Sequence, residues 1–102
     1  MASGLTIYGQ DQLAPDVRAA ALAAAHAVLS SKGVTAADAV AAYGVDLLLA
    51  EGLSPEERTD AHFREHGASL RAAEAYCAAK EAAEAEIARR GARFAVLFSV
   101  AN

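Results

Sequence analysis

Alanine constrains the fold of this sequence more than any other feature, because 29 of the 102 residues are alanine. Alanine has the highest helix propensity of all residues, and its small side chain lets neighbouring helices approach closely. It also buries little apolar surface. Hydrophobic residues make up 55% of the chain and charged residues 22%, a balance typical of a folded protein rather than a disordered segment. The composition predicts a single helical domain, residues 1–102, with a thin core.

Two short apolar runs near the ends of the chain predict β-strands. Residues 5–8 combine β-branched and aromatic side chains and end at Gly9. Residues 94–100 are apolar at six of seven positions, which predicts a strand buried on both faces. The expected fold class is therefore mainly α (α+β), with three helices between an N-terminal and a C-terminal strand.

Capping residues mark the ends of the first two predicted helices. Pro15 suits the first turn of helix one, which we expect to run to about residue 31 and to stop at Gly33. Thr35 is a good N-cap for helix two, and Gly52 ends it. Within helix two, Gly44 costs about 1 kcal/mol relative to alanine, which predicts a bend or a break there.

The third predicted helix is the longest. Ser54 and Glu57 have the spacing of a capping box, and Pro55 occupies the first helical position. We expect the helix to run over residues 55–90, about 50 Å at 1.5 Å per residue, with Gly67 as its weak point.

Alanines spaced by three and four residues run along this third helix and would let another helix approach closely. A helix of about 50 Å exceeds the size of a domain whose radius of gyration is about 13 Å, and two strands alone make a marginal sheet. A homodimer solves both problems, by packing long helices together or by joining the strands into a four-stranded sheet. The alternative is a monomeric bundle with a helix broken at Gly67. The alanine seam consists of Ala61, Ala68, Ala72, Ala75, Ala79 and Ala82.

The sharpest chemical motif is the sequence His-Phe-Arg-Glu-His at residues 62–66. It resembles the H-x-x-E-H motif of the inverted zincins, in which two histidines on one helix face bind a metal and the glutamate acts as general base. The motif predicts that His62 and His66 bind one divalent metal such as zinc, with Glu65 as the base and a third ligand from His26 or a second subunit. The competing interpretation is that both histidines are solvated and that only Phe63 faces the core.

Charge and composition argue against several functions. The net charge is −4 with only two lysines, whereas proteins that bind nucleic acid concentrate Lys and Arg on one face. Residues 34–53 resemble a helix-turn-helix in their apolar spacing but lack the Arg, Lys, Asn or Gln that would read bases. No apolar run reaches the ~20 residues of a membrane span. A single cysteine, Cys77, and the lack of a signal peptide predict a cytoplasmic protein.

These observations predict a small acidic protein-interaction module, such as an adaptor, assembly factor or inhibitor, that acts as a homodimer without a cofactor or catalytic activity. Its partners would be a second copy of itself and an unidentified protein. The alternative is a metal-binding enzyme or sensor that uses His62 and His66. A weaker possibility is a ligand groove lined by Tyr76 and Cys77. The residues predicted to bind the protein partner are His62, Arg64, Glu65 and Arg71.

Overall fold

The computed structural model describes residues 4–101, in which helices pack against one face of a small antiparallel sheet. The predicted fold class, mainly α with a strand near each end of the chain, is confirmed. Two 3₁₀ turns, Gln10–Gln12 and Pro55–Glu57, lie in the connections. The elements in chain order are β1 (Leu5–Ile7), α1 (Pro15–Lys32), α2 (Ala36–Ala50), α3 (Asp60–Glu65), α4 (Leu70–Arg89) and β2 (Phe98–Val100).

The ends of α1 and α2 follow the predicted local signals. Pro15 is the first residue of α1, and Gly33 ends it in the left-handed conformation with φ of 66°. The Thr35 hydroxyl accepts a hydrogen bond from the Asp38 backbone N–H at 3.1 Å, which caps α2. α2 continues through Gly44 as one helix, so the predicted break at that residue does not occur.

The prediction of one long third helix is wrong. The capping box of Ser54 and Glu57 is present, but it opens only a 3₁₀ turn. At Gly67 the chain turns left-handed, with φ of +75°. The Gly67 N–H bonds to the Arg64 carbonyl and the Ala68 N–H to the Phe63 carbonyl, a Schellman motif that ends α3. The helix therefore breaks at Gly67, as in the alternative interpretation.

The main helix pair is α1 against α4, and alanine side chains fill their contact. Ala21 and Ala25 on α1 and Ala75 and Ala79 on α4 are fully buried. Because none of these side chains extends beyond Cβ, the two backbones can lie at the short end of the usual 8–10 Å separation. The alanine richness of the chain thus serves packing within one copy.

Half of the predicted alanine seam is therefore buried and unavailable to a second chain. Ala72, Ala75 and Ala79 are buried inside the fold, whereas Ala61 lies exposed on α3. The radius of gyration is 13.9 Å, close to the ~13 Å expected for about 100 residues. Since no helix projects from the fold over residues 4–101, the predicted length of helix three no longer supports a dimer.

Tyr76 is the largest fully buried side chain and joins three elements. Its ring stacks on Tyr43 of α2, with centroids 4.1 Å apart and planes 9° apart. The Phe98 ring of β2 meets the Tyr76 ring edge-on at 5.5 Å. The Tyr76 hydroxyl also accepts a hydrogen bond from the Phe98 backbone N–H at 2.9 Å. Tyr76 thereby anchors α2 and β2 to α4, and it does not line a ligand groove.

The two strands pair with each other inside one chain. β1 and β2 are antiparallel, with Leu5 opposite Val100 and Ile7 opposite Phe98. Only one face of β2 is buried, because Leu97 and Ser99 are exposed whereas Val96 and Phe98 are buried. The prediction that residues 94–100 form a strand covered on both faces is wrong, since helices cover one face of this two-stranded sheet.

Side chains cap both outer edges of this sheet. On β1, the outward Leu5 N–H donates to His26 Nε2 at 3.0 Å, and the outward Ile7 N–H donates to Gln10 Oε1 at 2.9 Å. On the β2 side, the Val96 N–H donates to Glu84 Oε2 at 2.8 Å, and the Phe98 N–H donates to Tyr76 as described above. An added strand needs such donors to be free. The four-stranded arrangement considered from the sequence would have to break these bonds.

No single helix of residues 4–101 is long and apolar enough to cross a membrane. α1 and α2 reach the required apolar length only as a pair, and a 90° bend separates them.

Candidate functional site

The two histidines of the predicted metal motif lie at the end of the short helix α3. His62 Nδ1 is 2.9 Å from the Thr59 hydroxyl. His66 Nδ1 is 3.1 Å from the His62 carbonyl oxygen, so it must carry a proton and donate there. The Nε2 atom of each histidine is therefore the ring nitrogen left to bind a metal. Among residues 4–101, no group of three or more His, Cys, Asp or Glu side chains is placed to hold a metal ion.

Two of the four predicted partner-binding residues share a cleft beside the α3–α4 junction. The cleft has a volume of about 480 Å³, and its lining includes Arg64 and Arg71 but not His62 or Glu65. The Arg64 side chain is 77% exposed and bonds to the Asp60 carboxylate at 2.7 Å. This i,i+4 pair is solvated, so it contributes little to stability and leaves Arg64 accessible to a partner.

Arg71 has a structural role that the sequence did not indicate. Its guanidinium donates to the Lys32 carbonyl at the last turn of α1. Carbonyls at a helix C-terminus lack partners within the helix and carry its partial negative charge, so a cation stabilises them. Arg71 therefore fastens the first turn of α4 to the end of α1, 39 residues earlier in the chain.

The outward side of α2 is the apolar surface that sequence reasoning missed. Leu47 is 54% exposed and Leu48 is 56% exposed, whereas Leu49 beside them is buried. Successive helix residues point about 100° apart, so three consecutive leucines cannot all face one core. That geometry was a signal already present in the sequence.

Small residues continue this surface toward the N-terminus of α2. Ala37, Ala41, Gly44 and Leu48 are all exposed and follow spacings of four, three and four residues. We call these four residues the outer α2 face. A Cβ built on Gly44 would meet nothing within 4 Å, so no part of residues 4–101 covers the middle of the face.

The acidic residue nearest the exposed leucines is neutralised within the fold. Asp46 accepts two hydrogen bonds from Arg58, at 2.7 Å to Nε and 2.8 Å to Nη2. The bond to Asp46 raises the pKa of Arg58, despite the opposing effect of partial burial. The Arg58 guanidinium also lies 5.3 Å from the centre of the Phe63 ring. This bidentate pair anchors the connection after α2 and leaves no unpaired charge at Asp46.

A shallow apolar cleft adjoins the C-terminal end of α2. Its volume is about 280 Å³, and it lies between the last turn of the helix and the turn at residues 55–57. Its lining residues are Leu49, Ala50, Leu53, Ser54, Pro55 and Arg58.

Cys77 lies half-buried on α4. Burial raises the pKa of the Cys77 thiol, and the negative charge of Asp46 raises it further. The thiol is therefore protonated at neutral pH, whereas a nucleophilic cysteine needs a lowered pKa.

No protein-family model, curated protein or solved structure matches this chain.

Proposed function

We propose that this chain is a small protein-interaction module that works as a homodimer and carries out no chemistry of its own. The observation that carries the proposal is the uncharged outer α2 face together with the adjacent Leu47, so that two leucines of this helix are more than half exposed. A contiguous exposed apolar surface on a soluble domain marks a site of protein contact, whereas single scattered apolar residues do not.

Comparison with α4 supports the choice of α2 as the contact surface. The outward side of α4 carries Glu74, Glu81 and Arg89, which keep that helix solvated. The outward side of α1 is mostly alanine and serine and presents no large apolar side chain beyond its partly buried ones. Of these three long helices, α2 is the one that has exposed leucines and an outer face without charged residues.

In this proposal the unidentified protein partner binds a second surface. Arg64 and Glu65 are exposed on α3, and neither belongs to the outer α2 face. The net charge of −4 favours a basic protein surface and disfavours nucleic acid. We place this module in the cytoplasm and assign it no cofactor.

The outer α2 face is about 17 Å long and about 10 Å wide, which gives roughly 170 Å² per copy. A stable interface buries about 800 Å² per partner, so we expect a weak dimer that depends on concentration. Sedimentation velocity from about 10 μM to about 1 mM covers the relevant range. The sedimentation coefficient should rise with concentration for the native chain.

The variant Leu48→Glu tests the surface, because it places a charge on the outer α2 face while glutamate keeps a high helix propensity. The matched control is Leu97→Glu, which changes another leucine that is 44% exposed and gives the same net charge. We expect Leu48→Glu to stay monomeric throughout and Leu97→Glu to behave like the native chain. A native chain that is monomeric at every concentration would overturn the proposed function.

A further inference from the structure

The outer α2 face is wedge-shaped along its length. Its N-terminal half offers only the methyl groups of Ala37 and Ala41, its middle offers Gly44, and its C-terminal end offers Leu48 with Leu47 beside it. On the opposite side of the helix, Ala39 and Ala42 are fully buried in the core. The face therefore lies opposite the buried side of α2, with a thin end and a thick end, and Ala41 also borders the cleft next to the α3–α4 turn.

We infer that the occupant of this face is the same face of a second copy, packed antiparallel about a two-fold axis that passes between Ala41 and Gly44. This inference rests on the proposed function and specifies its geometry. In this register Leu48 of each copy covers Ala37 of the other, and Ala41 faces Gly44. The thick end of one wedge fills the thin end of the other, so the helix separation stays constant and no gap opens.

Parallel packing of the same faces would lose this complementarity. Leu48 would meet Leu48 at one end, and Ala37 would meet Ala37 at the other, so contact at the leucines would hold the alanines apart. Parallel packing would also place Glu51 beside Glu51, whereas the antiparallel arrangement opposes the two helix dipoles favourably.

Charge complementarity at the ends of the face points the same way. Lys32 is exposed at the last turn of α1, just before the N-terminus of α2, and Glu51 is exposed at the C-cap of α2. Neither side chain forms an ion pair within residues 4–101. The antiparallel register places Glu51 of each copy opposite residue 34 of the other, two residues after Lys32. The two-fold axis repeats this arrangement, so a dimer contains it twice.

Disulfide trapping distinguishes the two packings. In a Cys77→Ser background, Ala37→Cys and Leu48→Cys chains are prepared separately, and one of them carries a mass tag. A disulfide needs Cα atoms about 4.4–6.8 Å apart, so only facing positions react under mild oxidation. We expect the mixed 37–48 product from the mixture and little product from either variant alone. Products that join 37 to 37 and 48 to 48 would establish parallel packing and overturn the inference while leaving the dimer intact.

Charge reversal tests the register without altering the outer α2 face. We expect Lys32→Glu alone and Glu51→Lys alone to weaken association in sedimentation velocity, and the double variant Lys32→Glu/Glu51→Lys to restore it. A double variant that is weaker than both single variants would overturn the register. A native chain that dimerises while Leu48→Glu dimerises equally well would overturn the choice of face, whereas a monomeric native chain would refute the proposed function itself.

Discussion

Replacing Tyr76 by phenylalanine removes one oxygen atom from the centre of the core. That oxygen accepts the Phe98 N–H at 2.9 Å, and both residues are buried, so water cannot replace it. A buried donor left without a partner costs about 1–3 kcal/mol. We expect the free energy of unfolding to fall by about 2 kcal/mol and the melting temperature to fall by roughly 8–16 °C.

Urea unfolding followed by far-UV circular dichroism measures this change. The m-value should stay constant, because the stacked and edge-on ring contacts of Tyr76 do not need the hydroxyl. The control is Tyr43→Phe, which removes the hydroxyl of the stacked partner; that hydroxyl forms no hydrogen bond with residues 4–101. We expect the control to change the free energy of unfolding by less than about 0.5 kcal/mol. Equal stabilities for the two variants would refute the role given to the hydrogen bond.

The pH dependence of the same variant has a defined sign. Burial raises the pKa of Tyr76 above its ordinary value of 10.0, although the hydrogen bond from Phe98 opposes the shift. A raised pKa means that the stabilisation is complete below about pH 10 and is lost as the pH rises through the value in the folded state. Native protein should therefore lose stability more steeply than Tyr76→Phe at alkaline pH.

Three further predictions follow from other contacts. Burial alone would raise the pKa of Glu84, but its hydrogen bonds outweigh burial and lower the pKa, so the native chain loses this stabilisation as the pH falls below about 4.5. In acid titrations the variant Glu84→Gln should therefore lose less stability than the native chain. Gly67→Ala should cost about 1–2 kcal/mol in thermal unfolding because φ is +75°, whereas Gly52→Ala, which meets equally open space without a left-handed φ, should cost much less. Native mass spectrometry with added zinc should show no stoichiometric metal, because His62 and His66 supply only two of the four ligands that zinc requires; a bound ion lost in His62→Ala would contradict this.

Local signals in the sequence predicted the helix ends well. Pro15, Gly33 and Thr35 act through their own backbone conformation or through residues three positions away, so a short stretch of sequence contains the whole cause. The capping box at Ser54 was also correct as a local structure. It did not reveal how far the helix continues.

Contacts between distant segments could not be read in the same way. Whether the helix continues through Gly67 or ends there depends on two terms: the helix propensity that glycine lacks, about 1 kcal/mol, and the packing of the two neighbouring segments. The role of Arg71 depends on the end of α1 lying beside it, and the caps of the sheet edges need His26 and Glu84 to reach strands far away in sequence. These causes arise only after the helices have packed.

The pairing of β1 with β2 ties together the two ends of the described chain. The Ala101 N–H donates to the Gly4 carbonyl at 2.7 Å, so almost the whole sequence forms a closed loop. Closing a loop costs conformational entropy that rises with the logarithm of its length, so the strands are expected to pair late in folding, after α1 and α4 have associated. A short peptide linker that joins these neighbouring ends would remove most of that entropic cost. The same proximity makes the exposed connection between α2 and α3 a natural place to open the chain in a circular permutant.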